Sequence, residues 1–288
     1  MLVSDDCSSD NLLSLIESFD DPRIVYSRSD VRLGAVRNHN RAVSMSHGEY
    51  IVNLRSDDMI LPNYLEVAGQ ALDGCTQAAA AYSSVAILKE TKIAGCQRIP
   101  NLFFANCDVF DANPWLEKNH NVVPTGCMFR RSSFAQIGGY REAIRVAYDW
   151  DLYMRFMTLG GGVLFLPRVL AIYRKHAEQA SQTLPHEGLF DVLDIWGRED
   201  YTHWPPWEIA DLVLTNLIAS VGSREDRAAI LERIRVNGLG WRLIGGSAKC
   251  IRRRILRRMG FNGKRDENYK LPFDLESAVH EANILLGH

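Results

Sequence analysis

The stretch from Gly48 to Leu65, GEYIVNLRSDDMILPNYL, constrains the fold more than any other part of the chain. Tyr50 to Leu54 is a short apolar run with a β-branched centre, which predicts a buried strand. Asp57 and Asp58 fall where that strand must end. Pro62 suits the first turn of a helix that would carry Tyr64, Leu65 and Val67 inward. Strand, acidic turn and helix follow one another as in an open α/β sheet, whose ligands settle in the crevice at the carboxyl ends of the strands. The acidic pair is thus predicted to stand at that crevice.

The same alternation runs along the first two-thirds of the chain. Met1 to Ser4 reads as a strand entering a second acidic turn at Asp5 and Asp6. A helix follows, capped by Ser9 or Asp10, with Leu12, Leu13, Ile16 and Phe19 at helical spacing. A strand over 24–26 and a helix over 34–46, ended by Gly48, lead into the acidic stretch. Beyond it the pattern predicts a helix over 62–72, a hairpin-like pair at 78–88 and 91–96, a loop-rich segment over 100–120 and a strand at 127–129. Arg130 and Arg131 stand at that strand's exit. A short helix from Ser132 or Ser133 closes at Gly138-Gly139, and Asp149-Trp150-Asp151 opens another. Strands at 163–166 and 169–173 then lead into Arg174, Lys175 and His176. Short strands alternating with helices predict an α/β fold.

From Leu189 onward the pattern becomes helical, so the chain is expected to divide into an α/β domain over 1–185 and a helical region over 186–288. Seven basic residues between Trp241 and Arg258 (Arg242, Lys249, Arg252, Arg253, Arg254, Arg257 and Arg258) alternate with apolar ones. Such a helix either rests on an anionic membrane face or packs on the α/β domain with its charges in water. A net charge of −2 excludes a general pull toward nucleic acid. The six cysteines form no CxxC pair and no zinc spacing, and no apolar run is long enough to span a bilayer. The expectation is a reduced, cytoplasmic protein without a leader, resting at most peripherally on the inner membrane face.

Two adjacent carboxylates after a strand serve either of two ends. They shape a turn through local hydrogen bonds, or they hold a hard cation such as Mg²⁺ or Mn²⁺ that shares its coordination shell with phosphate oxygens. Asp149 and Asp151 are likewise first-turn acids that complement a helix dipole.

Five segments in order, VSDDCSSDN, GAVRNHNRAVSMSHGEYIVNLRSDD, TGCMFRRSSFAQIGGY, YDWDLYMRFMTLGG and YRKHAEQAS, resemble the family 2 glycosyltransferases. The resemblance implies a GT-A type fold, a Rossmann-like mixed sheet flanked by helices, and inverting transfer of a sugar from a nucleotide diphosphate donor to a hydroxyl acceptor. It implies Asp5 and Asp6 at the nucleotide base and Arg37 toward the nucleotide, unless Arg37 is a plain surface residue of its helix. Asp57 falls near the ribose or sugar. Asp58 and His176 would hold Mn²⁺ or Mg²⁺, though a loop histidine could instead meet acceptor or solvent. Asp149 takes the position of the catalytic base, with a glycan or lipid-linked acceptor in cell-envelope or polysaccharide synthesis.

The sequence departs from the family twice. Arg55 stands where the first aspartate of the Asp-x-Asp signature is usual, and the chain opens at the family's second strand. The expectation drawn from the second departure is that the gene's true start lies upstream; a strand supplied by another chain, or a degenerate relative, would also account for it. The rival functions are a non-catalytic relative of the family and a metal-dependent nucleotidyl or phosphoryl transferase, which would have no need of Asp149.

Overall fold

Two sheets carry the N-terminal part of the molecule. The computed structural model describes residues 1–89, 92–97, 125–159, 161–179, 185–197 and 224–237. Described residues up to His176 make one compact unit and those from Ala177 on a second.

The smaller sheet pairs β1 (Leu2–Asp5) in parallel with β2 (Val25–Arg28) across α1 (Leu12–Glu17). No residue of α1 is buried, and Leu13, Leu15, Phe19, Val25 and Val31 stand exposed around this sheet. The amphipathic pattern therefore set the helix without setting what covers it.

The larger sheet is mixed. Its spine is β5 (Ala80–Lys89), buried along nearly its whole length because it is covered on both faces, which its unbroken run AAYSSVAIL anticipates. Strand β8 (Val163–Lys175) runs parallel beside it, while β6 (Lys92–Gln97) and β7 (Cys127–Arg130) run antiparallel. On the far side of β7 lies β3 (Tyr50–Val52), and β4 (Met59–Ile60) pairs with β8, giving the order β3-β7-β5-β8-β4. Two predicted strands are here one. In β8 the register with β5 jumps from Leu166↔Ser83 to Val169↔Ser84, so Pro167 and Arg168 form an irregularity inside a continuous strand. Proline has no N–H for the ladder, which is why the sequence reads as a break at that point.

Helices α2 (Ala35–Met45), α3 (Tyr64–Gly74), α4 (Arg131–Gln136) and α5 (Tyr148–Thr158) complete this unit. Helix α3 begins two residues after Pro62, since Met59 and Ile60 are drawn into the sheet beside Ile172 and Ala171. Tyr64, Ala68 and Leu72 of α3 then pack with Cys75, Ala78, Ala81, Met128 and Leu170 in the core. Arg130 and Arg131 are structural. The first donates to the carbonyls of Ala78 and Leu72, and the second to those of Gly48 and Val43, where it caps the end of α2. Cys75 is disulfide-bonded, against the expectation of a fully reduced chain, while Cys7 and Cys127 are free thiols.

The second unit joins α6 (Pro185–Trp196) to α7 (Arg224–Val236). Arg233 pairs with Asp194 at 2.7 Å, and Leu193 and Ile230 are fully buried. The predicted loop-rich segment 100–120 and the basic helix over 241–258 lie outside the described residues. Among the described residues, no helix is long and apolar enough to cross a membrane.

Candidate functional site

Helix α2 ties the two acidic turns together. Its Asn38 donates to the Ser4 carbonyl at 2.8 Å, and Arg41 donates to the hydroxyls of Ser4 at 2.8 Å and Ser27 at 2.5 Å, so the small sheet hangs from one stretch of the helix. Asn40 makes a two-way bond with the backbone of Tyr140, donating to its carbonyl and accepting from its N–H, both at 2.9 Å. Tyr140 in turn accepts from Asn53 at 2.8 Å, which fixes the approach to the second acidic turn.

Asp5 and Asp6 are engaged within the protein. Asp5 is 3% exposed; it accepts from the Tyr26 hydroxyl at 2.6 Å and from the Ser8 N–H at 2.9 Å. The Tyr26 bond holds its carboxyl below the usual range against the opposing effect of burial, with Ser8 and Arg28 acting in the same direction as Tyr26. Asp6 accepts from the N–H groups of Leu33 and Gly34, at 2.6 and 2.9 Å, and so anchors the entry to α2. Both carboxylates shape the turn Asp5–Ser8. Arg37 lies exposed and pairs with Glu142 at 2.7 Å.

At the second turn the three acidic and basic residues part company. Asp58 is buried and turned inward, accepting from the Thr125 hydroxyl and, at 2.9 Å, from the Arg174 N–H. Burial raises its pKa, and those two hydrogen bonds oppose the rise. Asp57 points out to His176, whose Nε2 lies 3.0 Å from its Oδ2. The structure therefore sets His176 beside Asp57 and leaves Asp58 to bind the turn to the end of β8. Among the described residues, no group of three or more His, Cys, Asp or Glu side chains is gathered as a metal site. The Asp57–His176 pair nevertheless fits a divalent cation. Its two donors are 31% and 38% exposed, and an open two-donor corner suits an ion whose remaining positions go to phosphate oxygens and water.

Arg55 turns the other way. Its Nη2 donates to the Tyr148 hydroxyl at 2.8 Å and to Asp149 Oδ2 at 3.1 Å, and its guanidinium sits 5.5 Å above the Tyr148 ring. Asp149 Oδ1 accepts from the Trp150 N–H at 2.7 Å. The Tyr148 hydroxyl also meets His39 Nε2 at 3.2 Å, and the rings of His39, Tyr140 and Tyr148 form a triangle with centroids 5.4 to 5.6 Å apart. Burial first, and then the charge of Arg55, pushes the His39 imidazole down to about 4, so it is neutral at pH 7. Burial likewise pushes the Tyr148 hydroxyl up to about 12. Asp151 serves the core instead: fully buried, it pairs with Arg155 at 2.7 Å and Arg141 at 3.0 Å.

The sequence thus supplied Arg55, Asp57, Asp149 and His176 at two adjoining places. It did not reveal His39, Tyr148 or Thr125. The available signals were weak: His39 follows Arg37-Asn38 on α2, and Tyr148 is the neighbour of Asp149.

The "Glycosyl transferase family 2" model matches residues 1–138. The putative colanic acid biosynthesis glycosyl transferase WcaA of Escherichia coli K12 is 38% identical over 69 residues, covering 23% of this chain and 25% of WcaA. The succinoglycan biosynthesis protein ExoO of Rhizobium meliloti is 25% identical over 194 residues, covering 64% of this chain and 54% of ExoO. The chain spans between 25% and 63% of the length of the curated relatives it matches. Among solved structures, TarS 1-349 of S. aureus superposes with a TM-score of 0.59 at 16% identity, covering 95% of this chain and 87% of TarS 1-349. That likeness establishes the α/β fold with its mixed sheet between helices as the GT-A type.

Proposed function

We propose, from the premise that residues 1–138 belong to glycosyl transferase family 2, that this chain moves a sugar from a nucleotide diphosphate donor to a hydroxyl of a glycan or lipid-linked acceptor, with inversion. The observation that carries the reading is Asp149, held at the first turn of α5 by Trp150 and Arg55, with Arg55 rising from the turn whose Asp57 meets His176. WcaA and ExoO are named for colanic acid and succinoglycan biosynthesis, which supports an extracellular or envelope polysaccharide as the product. TarS was solved with UDP-GlcNAc and with UDP, which suggests the donor class to try first.

In this reading Asp149 accepts the proton of the acceptor hydroxyl as that oxygen attacks the anomeric carbon, and the bonding pair of the sugar–phosphate bond leaves with the diphosphate from the opposite face. Mn²⁺ or Mg²⁺ held by Asp57 and His176 would offset the charge that builds on the leaving diphosphate. Asp5 and Asp6 act on the donor indirectly, by fixing the turn Asp5–Ser8 against which the base would lie, and Asp58 does the same for the acidic turn. Arg37, exposed and paired with an exposed glutamate, is the side chain of α2 that can turn to the nucleotide. The basic segment 241–258 gives the chain a means of resting on the inner, anionic face of a membrane where a lipid-linked acceptor would be found.

The test is consumption of a panel of nucleotide sugars with and without Mn²⁺. Turnover of at least one donor, lowered about a thousandfold by Asp149→Asn, is the expected result. Full turnover by Asp149→Asn would favour the rival reading of a metal-dependent nucleotidyl or phosphoryl transferase.

A further inference from the structure

Arg55 is the cation of a turn otherwise acidic, and its bonding is lopsided. Both of its hydrogen bonds leave from one nitrogen, Nη2, to the Tyr148 hydroxyl and to Asp149 Oδ2. Among the described residues, Nε and Nη1 donate to no protein acceptor, and the side chain is 28% exposed. The partners below it are fixed: Tyr148 is wedged against His39 and Tyr140, and Asp149 is held from its other oxygen by the Trp150 N–H. Burial opposes the charge of Arg55, yet Tyr148 and Asp149 hold its pKa above the ordinary arginine value. The guanidinium is therefore a permanent charge with unused donors, two residues from Asp57 and in contact with the carboxylate that must act as base.

Building on the glycosyltransferase reading, we propose that Arg55 is a latch between the donor diphosphate and Asp149. Without donor, the Arg55 guanidinium bonds Asp149 Oδ2 and lowers that oxygen's affinity for the proton of an acceptor hydroxyl. A diphosphate arriving beside Asp57 and His176 carries more charge than one carboxylate and presents paired oxygens that match the guanidinium fork. It draws Nε and Nη1 to itself, the Asp149 bond lengthens, and Oδ2 becomes the stronger base. Arg55 is thus a binding residue for the diphosphate and a positioning residue for Asp149, and it orders the reaction so that donor binds before acceptor.

The experiment is a double-mutant cycle read by calorimetry, with UDP, GDP, dTDP and ADP as probes, with and without Mn²⁺, on the whole chain. Arg55→Gln is expected to weaken binding of the recognised diphosphate about tenfold, and Asp149→Asn to tighten it about tenfold by removing the rival anion. In the Arg55→Gln background Asp149→Asn changes nothing, because the competition it relieved is gone. Arg55→Lys, which keeps the charge without the fork, provides a second variant should Arg55→Gln fold poorly, and it falls between wild type and Arg55→Gln. Equal tightening by Asp149→Asn in both backgrounds is general charge relief and overturns the latch alone, as does unchanged or weakened binding in the Asp149→Asn single variant. A folded wild-type chain that binds none of the four diphosphates overturns the donor reading and the latch with it.

Discussion

Two aspartates two positions apart on α5 illustrate how much the surroundings of a carboxylate decide. Asp149 is buried but pairs with Arg55, whose side chain still reaches water, whereas Asp151 lies fully buried between Arg155 and Arg141. Removing one partner of a buried pair strands the other, so Asp151→Asn is expected to lower stability by about 3 kcal/mol, measured by urea denaturation. Asp149→Asn is expected to leave the urea midpoint close to that of wild type. His39 gives a pH dependence of definite sign. Its folded pKa, about 4, lies below the ordinary 6.5, so the folded state prefers the neutral ring. Its stabilising contribution is complete above pH 6.5 and is lost as pH falls toward 4, by roughly 3 kcal/mol in all. Urea denaturation at pH 7 and pH 4.5 should show a drop in wild type that His39→Gln largely removes; equal drops in the two proteins would contradict this account of His39.

At the scale of elements, the strand and helix pattern was legible because each element carries its own period. The strand entering the acidic turn, helix α2 and the antiparallel pair β5 and β6 all stand where the pattern put them, within a residue or two. What the pattern could not show was association. It placed Asp5 and Asp6 at the end of a strand, but not that Tyr26 and the backbone of Leu33 and Gly34 would claim their oxygens. It could not distinguish Asp57 from Asp58, because which carboxylate turns inward depends on Thr125 and Arg174, more than sixty residues away. Nor could it see that the adjoining sheet would absorb Met59 and Ile60, or bridge the break at Pro167. Glycines make the same point in energetic form. A Cβ on Gly161 would fall 1.6 Å from the Gln77 carbonyl oxygen at the entry to β5, whereas one on Gly69, within α3, meets nothing within 4 Å. Gly161→Ala is therefore expected to cost more than about 3 kcal/mol and Gly69→Ala to stabilise by about 0.5 to 1 kcal/mol, both read from thermal melts.

Across the whole molecule, the residues proposed for donor and acceptor chemistry fall in one unit, and the helices described in the second are α6 and α7. If the basic segment 241–258 brings the enzyme to its acceptor, the full chain should float with anionic vesicles and not with neutral ones, and replacing Arg252, Arg253 and Arg254 by glutamate should abolish flotation without altering donor hydrolysis. Flotation unchanged by those substitutions would give the segment another role. The central claim concerns Asp149 and the face of the sugar on which it works. Its most direct test is proton NMR of the first sugar released or transferred from an α-linked nucleotide sugar. The account predicts the β anomer from the wild-type chain and, under the same conditions, about a thousandfold less of it from Asp149→Asn. Release of the α anomer, or β anomer formed at the wild-type rate by Asp149→Asn, would contradict it.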